Sequence, residues 1–169
     1  MPASPQRLSN LDLATLAERL GRLCRQEGRQ VTCAESCTGG GVASAITEVA
    51  GSSDYFETGY VTYSNAAKTR LLGVDPMLLE AHGAVSREVV EAMVAGACRD
   101  SGATLGVAIS GVAGPGGGSD AKPVGTVWLA WGDANAQQAE HYHFPGDRRA
   151  VREQAVRAAL VGLIQRLDA

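Results

Sequence analysis

Three short segments of this chain carry residues that could do chemistry. The first is Ala34-Glu-Ser36-Cys37-Thr38-Gly39-Gly40-Gly41. It falls where a buried strand should give way to a helix, a junction that turns backbone N–H groups and the positive end of a helix dipole into a crevice. A hydroxyl there can attack a carbonyl while nearby N–H groups, here those of Cys37 to Gly39, hold the oxyanion. The commoner use of a serine in this position is as an N-cap. The segment is not a G-x-S-x-G elbow, because Ala34 stands where the first glycine belongs.

The second segment, Tyr63-Ser64-Asn65-Ala-Ala-Lys68, sits at the next strand-to-helix junction, with Ser64 or Asn65 as the cap. Ser64 and Lys68 are four apart and would share a helix face. Two pairings therefore compete: a local Ser64–Lys68 pair, or Lys68 reaching across to Ser36. The third segment is Ser110-Gly111-Val-Ala-Gly114-Pro-Gly116-Gly117-Gly-Ser119, part of a stretch with six glycines from Gly106 to Gly118. It has neither Walker spacing nor a G-x-G-x-x-G helix start. It fits a phosphate or sugar cradle built from backbone N–H groups.

Lysine usage sharpens the second segment. Of 15 basic residues, 13 are Arg and only Lys68 and Lys122 are Lys. A lysine can give up its proton and act as a base, which a guanidinium in practice cannot. The bland alternative is a lysine left by chance on a solvated face. His82, His141 and His143 are expected away from the three loops, so a Ser-His-Asp triad lacks its histidine and a Ser-Lys pair gains.

These residues must be held by a folded scaffold. With 169 residues and 45% hydrophobic content, the chain reads as a single domain over 1–169 with a real core. A net charge of −3, well mixed, speaks against a nucleic-acid binder but allows one small anionic ligand. Cys24, Cys33, Cys37 and Cys98 form no C-x-x-C pair and have no histidine at ligand spacing, so a zinc site has little support; no metal and no cofactor are expected. Cys24 and Cys98 read as core residues. Without a signal peptide or membrane span, a reducing cytoplasm with free thiols follows. Met1-Pro-Ala-Ser-Pro5 reads as a polar lead-in.

Leucine spacing predicts one amphipathic helix from Leu8 to Glu27, stopped at Gly28. A buried strand over Gln30–Ala34, a tight helix over Thr38–Val49 and a strand over Phe56–Tyr63 follow. Helices are expected over Asn65–Leu72, from Asp75-Pro76 onward, and from an N-cap at Ser86 to about Asp100. Then come a strand over Leu105–Gly111, the glycine-rich loop Val112–Pro123, a hairpin of Val124–Trp131 with Glu140–Phe144, and a helix from Asp147 to Leu167. This order predicts a three-layer α/β/α sandwich with a mixed, mostly parallel sheet.

Taken together, Ala34-Glu-Ser-Cys-Thr-Gly-Gly40, Gly-Ser-Ser53, Tyr63-Ser-Asn-x-x-Lys68, His82-Gly-Ala-Val-Ser86, Ser110-Gly-x-Ala-Gly-Pro-x-Gly-Gly-Ser119, Lys122-Pro-Val-Gly-Thr-Val-Trp128 and Gly146-Asp-Arg148 resemble the CinA C-terminal domain family. The likeness runs from about Val31 to the last helix. Gly41 departs from it, at a position where larger residues also occur. Longer members carry a further N-terminal domain, which is not expected here. The resemblance implies hydrolysis of the amide of nicotinamide mononucleotide to nicotinic acid mononucleotide and ammonia, in pyridine-nucleotide recycling, without metal. It implies Ser36 as nucleophile and Lys68 as base. Cys37, Thr38, Gly39, Gly40, Tyr63, Ser64, Asn65, Ser110, Gly111, Gly114, Gly116, Gly117 and Arg148 are the expected substrate-binding residues. The expected partner is a small nucleotide, with no nucleic acid and no membrane; a homodimer is compatible with the sequence. A non-catalytic nucleotide-binding module using the same glycine loops is the main rival. A metal-dependent phosphate-ester hydrolase is disfavoured, since no carboxylate cluster offers ligands.

Overall fold

The computed structural model describes residues 4–169, so Met1 to Ala3 of the expected lead-in lie outside the described residues. The elements are α1 (Pro5–Ser9), α2 (Leu13–Glu27), β1 (Val31–Glu35), α3 (Gly41–Thr47), β2 (Phe56–Val61), α4 (Asn65–Leu72), α5 (Pro76–His82), α6 (Arg87–Ser101), β3 (Leu105–Gly111), β4 (Thr126–Gly132), β5 (Gln137–His143) and α7 (Arg148–Leu167). One sheet runs in the order β2-β1-β3-β4-β5. β1 pairs in parallel with β2 and β3, while β4 is antiparallel to β3 and β5. Four of the five strands thus point the same way, and the late hairpin makes the sheet mixed. Helices α1, α2, α3 and α7 bury one face and α4, α5 and α6 the other, which is the expected three-layer sandwich.

Local chemistry explains most boundaries. Ser64, Asp75, Ser86 and Asp147 each cap a helix through their side chains. Two expected helices come out differently. The Leu8–Glu27 helix breaks at Asn10-Leu11-Asp12, because the Asp12 carboxylate accepts from Thr15 N–H at 2.7 Å and starts α2 afresh. The helix expected from Thr38 begins only at Gly41, because residues 36–40 form a tight turn. β2 ends two residues early, β4 starts at Thr126, and β5 starts at Gln137.

The packing of α6 shows how the sheet is built to sit close to its cover. Ala34, Ala108, Ala130 and Ala139 stand in register across β1, β3, β4 and β5 and all belong to the α6-side core. Such small side chains let a helix approach closely, and Gly96 does the same for α4: a Cβ there would meet Leu72 O at 1.9 Å. Side chains alternate faces along a strand. Two residues further along, Ser110, Trp128 and His141 form the next row on the same face. Ser36 N–H extends the ladder to Ile109 O at 3.0 Å, and Thr62 N–H extends it to Glu35 O at 2.9 Å. By the same alternation, Thr62 and Ser36 join that row.

The chain leaves β1 through α3 to reach β2 on one side, then returns through α4 to α6 to β3 on the other. The carboxyl ends of β1 and β3 therefore frame the crevice where open α/β sheets bind ligands. Ser36 and Ser110-Gly111 sit at those two ends.

Candidate active site

Ser36 follows directly on β1 and is 8% exposed. The turn after it is held from within: Gly39 N–H donates to Ser36 O and Gly41 N–H to Thr38 O, each at 3.0 Å. Gly39 and Gly40 have φ of 58° and 103°, in the left-handed region that favours glycine. Gly40, as N-cap of α3, has no side chain to offer the helix. Glu35 supplies that cap from the strand. Its carboxylate, completely buried, accepts from Val42 N–H at 2.8 Å, Ala43 N–H at 3.1 Å and Thr38 Oγ1 at 2.7 Å. A carboxylate among the first N–H groups of a helix is favoured by the helix dipole as well. Ser36 is accordingly no N-cap, and its hydroxyl is left for other work.

Arg152, on α7, grips the turn from the opposite layer. Its Nε donates to Cys37 O at 3.1 Å and its Nη2 to Thr38 O at 3.4 Å. In a trans peptide the N–H points opposite to the preceding C=O. Fixing Cys37 O toward α7 therefore directs Thr38 N–H away from α7. Among the N–H groups expected to hold an oxyanion, Gly39 is taken up by the turn, and those of Cys37 and Thr38 donate to no backbone carbonyl among the described residues.

Lys68 comes from α4, and it is 1% exposed. Its Nζ lies 3.0 Å from Ser36 Oγ and donates to Thr62 O at 2.8 Å. Of the two competing pairings, the structure forms the one across to Ser36. Ser64 Oγ is occupied at 3.0 Å by Ala67 N–H, as the cap of α4. Burial holds Lys68 below the ordinary lysine range, with Cys37 opposing weakly, and no carboxylate pairs with it among the described residues. The Cys37 thiol beside it is pushed up to about 11, mainly by burial, and stays protonated. At this turn the hydroxyl of Ser36, not the thiol of Cys37, is the group in contact with a base.

The mouth of the crevice is bridged. Arg148 donates to Tyr63 Oη and to Gly114 O, both at 2.9 Å. Tyr63 follows β2 and Gly114 follows β3, so the bridge passes over the end of β1, where Ser36 sits. Beside it, a cleft of about 770 Å³ is lined by Ala113, Gly114, Val124 and the α7 start, including Arg148, Arg149 and Arg152. Ser110 is 1% exposed, one residue before the end of β3. Gly111 closes β3 at Val127, and Gly116 and Gly117 lie exposed in the loop. Asn65 instead lines a separate cleft between α4 and α5 with Ala66, Thr69 and Leu79.

The histidines are nearer the glycine loop than expected. His143 Nε2 is 3.1 Å from Val124 O, and Lys122 Nζ donates to His82 O at 2.6 Å. Neither contact involves Ser36. The second lysine anchors the loop to the end of α5. Sequence reasoning missed Glu35 and Arg152. A signal existed for each: Glu35 is the one charge in an otherwise uncharged strand and turn, and Arg152 stands four after Arg148, on the same helix face.

This geometry has counterparts. The family described as CinA C-terminal domain matches residues 13–167. A nicotinamide-nucleotide amidohydrolase PncC of Pseudomonas putida is 65% identical over 153 residues, spanning 90% of this chain and 96% of that protein. Its namesake in Escherichia coli strain K12 is 49% identical over 159 residues, spanning 94% and 96%. The crystal structure of competence/damage inducible protein CihA from Agrobacterium tumefaciens superposes with a TM-score of 0.89 at 42% identity, covering 94% of this chain and 97% of that one. With the family matched from α2 to the end of α7 and such identity to proteins spanned almost end to end, the chain belongs to the CinA C-terminal domain family.

Proposed function

We propose that this chain hydrolyses the carboxamide of nicotinamide mononucleotide, giving nicotinic acid mononucleotide and ammonia, with Ser36 as nucleophile and Lys68 as general base. Relatives at 65% and 49% identity named nicotinamide-nucleotide amidohydrolase support the activity. The observation that carries the mechanism is a buried lysine amine, unpaired by any carboxylate, 3.0 Å from a serine hydroxyl at the end of a central strand.

In the first step Ser36 Oγ bonds to the amide carbon as its proton passes to the Lys68 lone pair. The carbonyl π pair moves to oxygen, where Thr38 and Cys37 N–H groups are the available donors. The tetrahedral intermediate then collapses, and the proton on Lys68 goes to the departing nitrogen, which leaves as ammonia. Water, deprotonated by the now neutral Lys68, attacks the acyl-serine and releases the carboxylic acid and Ser36. A lysine at its usual pKa would be protonated and useless as a base near neutral pH; burial shifts Lys68 downward, the direction a base requires.

The phosphate is assigned to the cleft at the start of α7, where Arg148, Arg149 and Arg152 and the Gly114 segment converge. A merely nucleotide-binding module has no use for a buried, unpaired base, and that favours the enzyme over its rival. Buried, free thiols at all four cysteines fit the cytoplasmic setting inferred from sequence. None of the described helices is long and apolar enough to cross a membrane.

The deciding measurement is ammonia release by the purified protein from nicotinamide mononucleotide, nicotinamide riboside and free nicotinamide, with Ser36→Ala alongside. The mononucleotide should be preferred by at least about 100-fold in kcat/KM, because remote phosphate binding positions the amide. Equal values for mononucleotide and riboside would remove the phosphate assignment. An active Ser36→Ala enzyme would remove the mechanism.

A further inference from the structure

Thr62 holds an unexplained group. It is completely buried, and its Oγ1 is out of contact with solvent and has no hydrogen-bond partner among the described residues. An orphaned buried hydroxyl is destabilising and calls for a reason. The same residue's carbonyl is 2.8 Å from Lys68 Nζ, so the orphan belongs to one of the two residues that the amine touches. By strand alternation from Tyr60, the Thr62 side chain lies on the face of the sheet that α4 and α6 cover.

Counting donors suggests what the hydroxyl is for. A neutral lysine amine has two N–H groups and one lone pair; an ammonium has three N–H groups and none. With Ser36 Oγ–H donating to the lone pair, Thr62 O accepts one of the two N–H bonds and the other, a weak neutral donor, is left without an acceptor. After proton transfer all three N–H groups need acceptors. Thr62 O is one, and the serine oxygen or departing nitrogen is the second. No third acceptor is within hydrogen-bond distance of Nζ among the described residues. We infer that the Thr62 hydroxyl is that third acceptor, unbonded in this structure and brought onto Nζ by side-chain rotation when Lys68 carries the serine's proton, because a charged N–H gains about twice as much from an acceptor as the neutral amine's spare one. The inference rests on the Ser36–Lys68 reading above. It makes Thr62 a positioning residue acting through Lys68, and its contribution is larger in the transition state than in the resting enzyme.

Few other groups compete for control of this amine. From the turn after β1 the Cys37 thiol faces it, neutral because burial raises it to about 11. Glu35 and, from α7, Arg152 act on that thiol with opposite sign. No charged side chain of β2, α4, α5 or α6 acts on Lys68 among the described residues.

The test is Thr62→Val, which keeps the shape and removes the hydroxyl, measured beside Thr62→Ser, Thr62→Ala and Ser36→Ala. For Thr62→Val and Thr62→Ala, kcat should fall about tenfold with KM within about twofold, the size of one lost hydrogen bond. Activity needs neutral Lys68, so it rises with pH through the Lys68 pKa. Removing an acceptor that favours the ammonium lowers that pKa, so the rising limb should move to lower pH in both variants. Thr62→Ser should restore rate and profile. Thr62→Val should melt no lower than the parent, since an orphaned hydroxyl gives way to a methyl. Wild-type kcat and pH limb in Thr62→Val, or a Thr62→Ser enzyme as slow as Thr62→Val, would overturn the inference. If Ser36→Ala keeps amidase activity, the underlying mechanism falls with it; if Ser36→Ala is inert while Thr62→Val matches the parent, only the role of the hydroxyl falls.

Discussion

The two loops at the ends of the central strands, the turn after β1 and the glycine-rich loop after β3, are both rich in glycine yet built in opposite ways. The turn is short, largely buried and over-determined. Two internal hydrogen bonds, the Glu35 carboxylate beneath it and Arg152 above it leave its backbone one arrangement. The loop is long and exposed around Pro115 to Ala121, and is held at separate points: by Arg148 at Gly114, by Lys122 at His82, and by the Val112–Gly125 and Val112–Thr126 backbone pairs. The difference fits a division of labour. Chemistry needs donors fixed to within a fraction of an ångström, while recognition of a flexible nucleotide tolerates a loop that settles around it. The two lysines follow the same division: Lys68 is buried against the turn, and Lys122 ties down the loop.

The sharpest way to break this comparison is at the turn. Ser36→Ala should lower kcat by at least about 10⁴-fold, as loss of a nucleophile does, with little change in stability because Ser36 caps nothing. A variant that retains a tenth of the activity would show that the turn is not the chemical end. Next in size, Lys68→Arg and Lys68→Met should each lose about 10³-fold, since neither can accept the proton. Lys68→Met also tests burial. A lysine whose pKa is lowered by folding binds fewer protons folded than unfolded between the two values, so wild-type stability rises with pH across that window, up to the ordinary value of 10.5. Lys68→Met should therefore melt higher than the parent near neutral pH, with the gap closing toward that value. A gap independent of pH would refute the burial argument.

Glu35→Ala should come third. It strips two backbone N–H groups and the Thr38 hydroxyl of a charged acceptor, at a cost of about 3 kcal/mol in urea unfolding. It should also reduce kcat more than it raises KM, because the oxyanion donors lose their support. An unchanged kcat would mean that Glu35 serves only the fold. The smallest effects come from making one substitution in both loops. Gly39→Ala places a side chain at a φ of 58°, 3.2 Å from Arg152 Nη2, and should cost about 1 kcal/mol or more as well as activity. Gly116→Ala meets nothing within 4 Å and should cost less than about 0.5 kcal/mol. Equal losses of kcat from the two would erase the contrast between a fixed turn and an adaptable loop.

What the sequence determined is what neighbours along the chain control. Ser64, Asp75, Ser86 and Asp147 announce helix starts because each cap bonds within three residues of itself. Alternation and strand order prescribed a mixed sheet between two helical layers, and the scarcity of lysine singled out Lys68 and Lys122 alike. What only the tertiary structure decided lies between residues far apart. Whether Lys68 meets Ser64 or Ser36 depended on how α4 sits against the end of β1, 32 residues away in sequence. Glu35 caps a helix that starts six residues later, beyond any local capping pattern. Arg152 reaches the turn from 115 residues away. The orphaned hydroxyl of Thr62 is visible only once burial is known. A strand residue's face follows from its parity, but what covers that face, and so whether an amine there stays neutral, is fixed by packing alone.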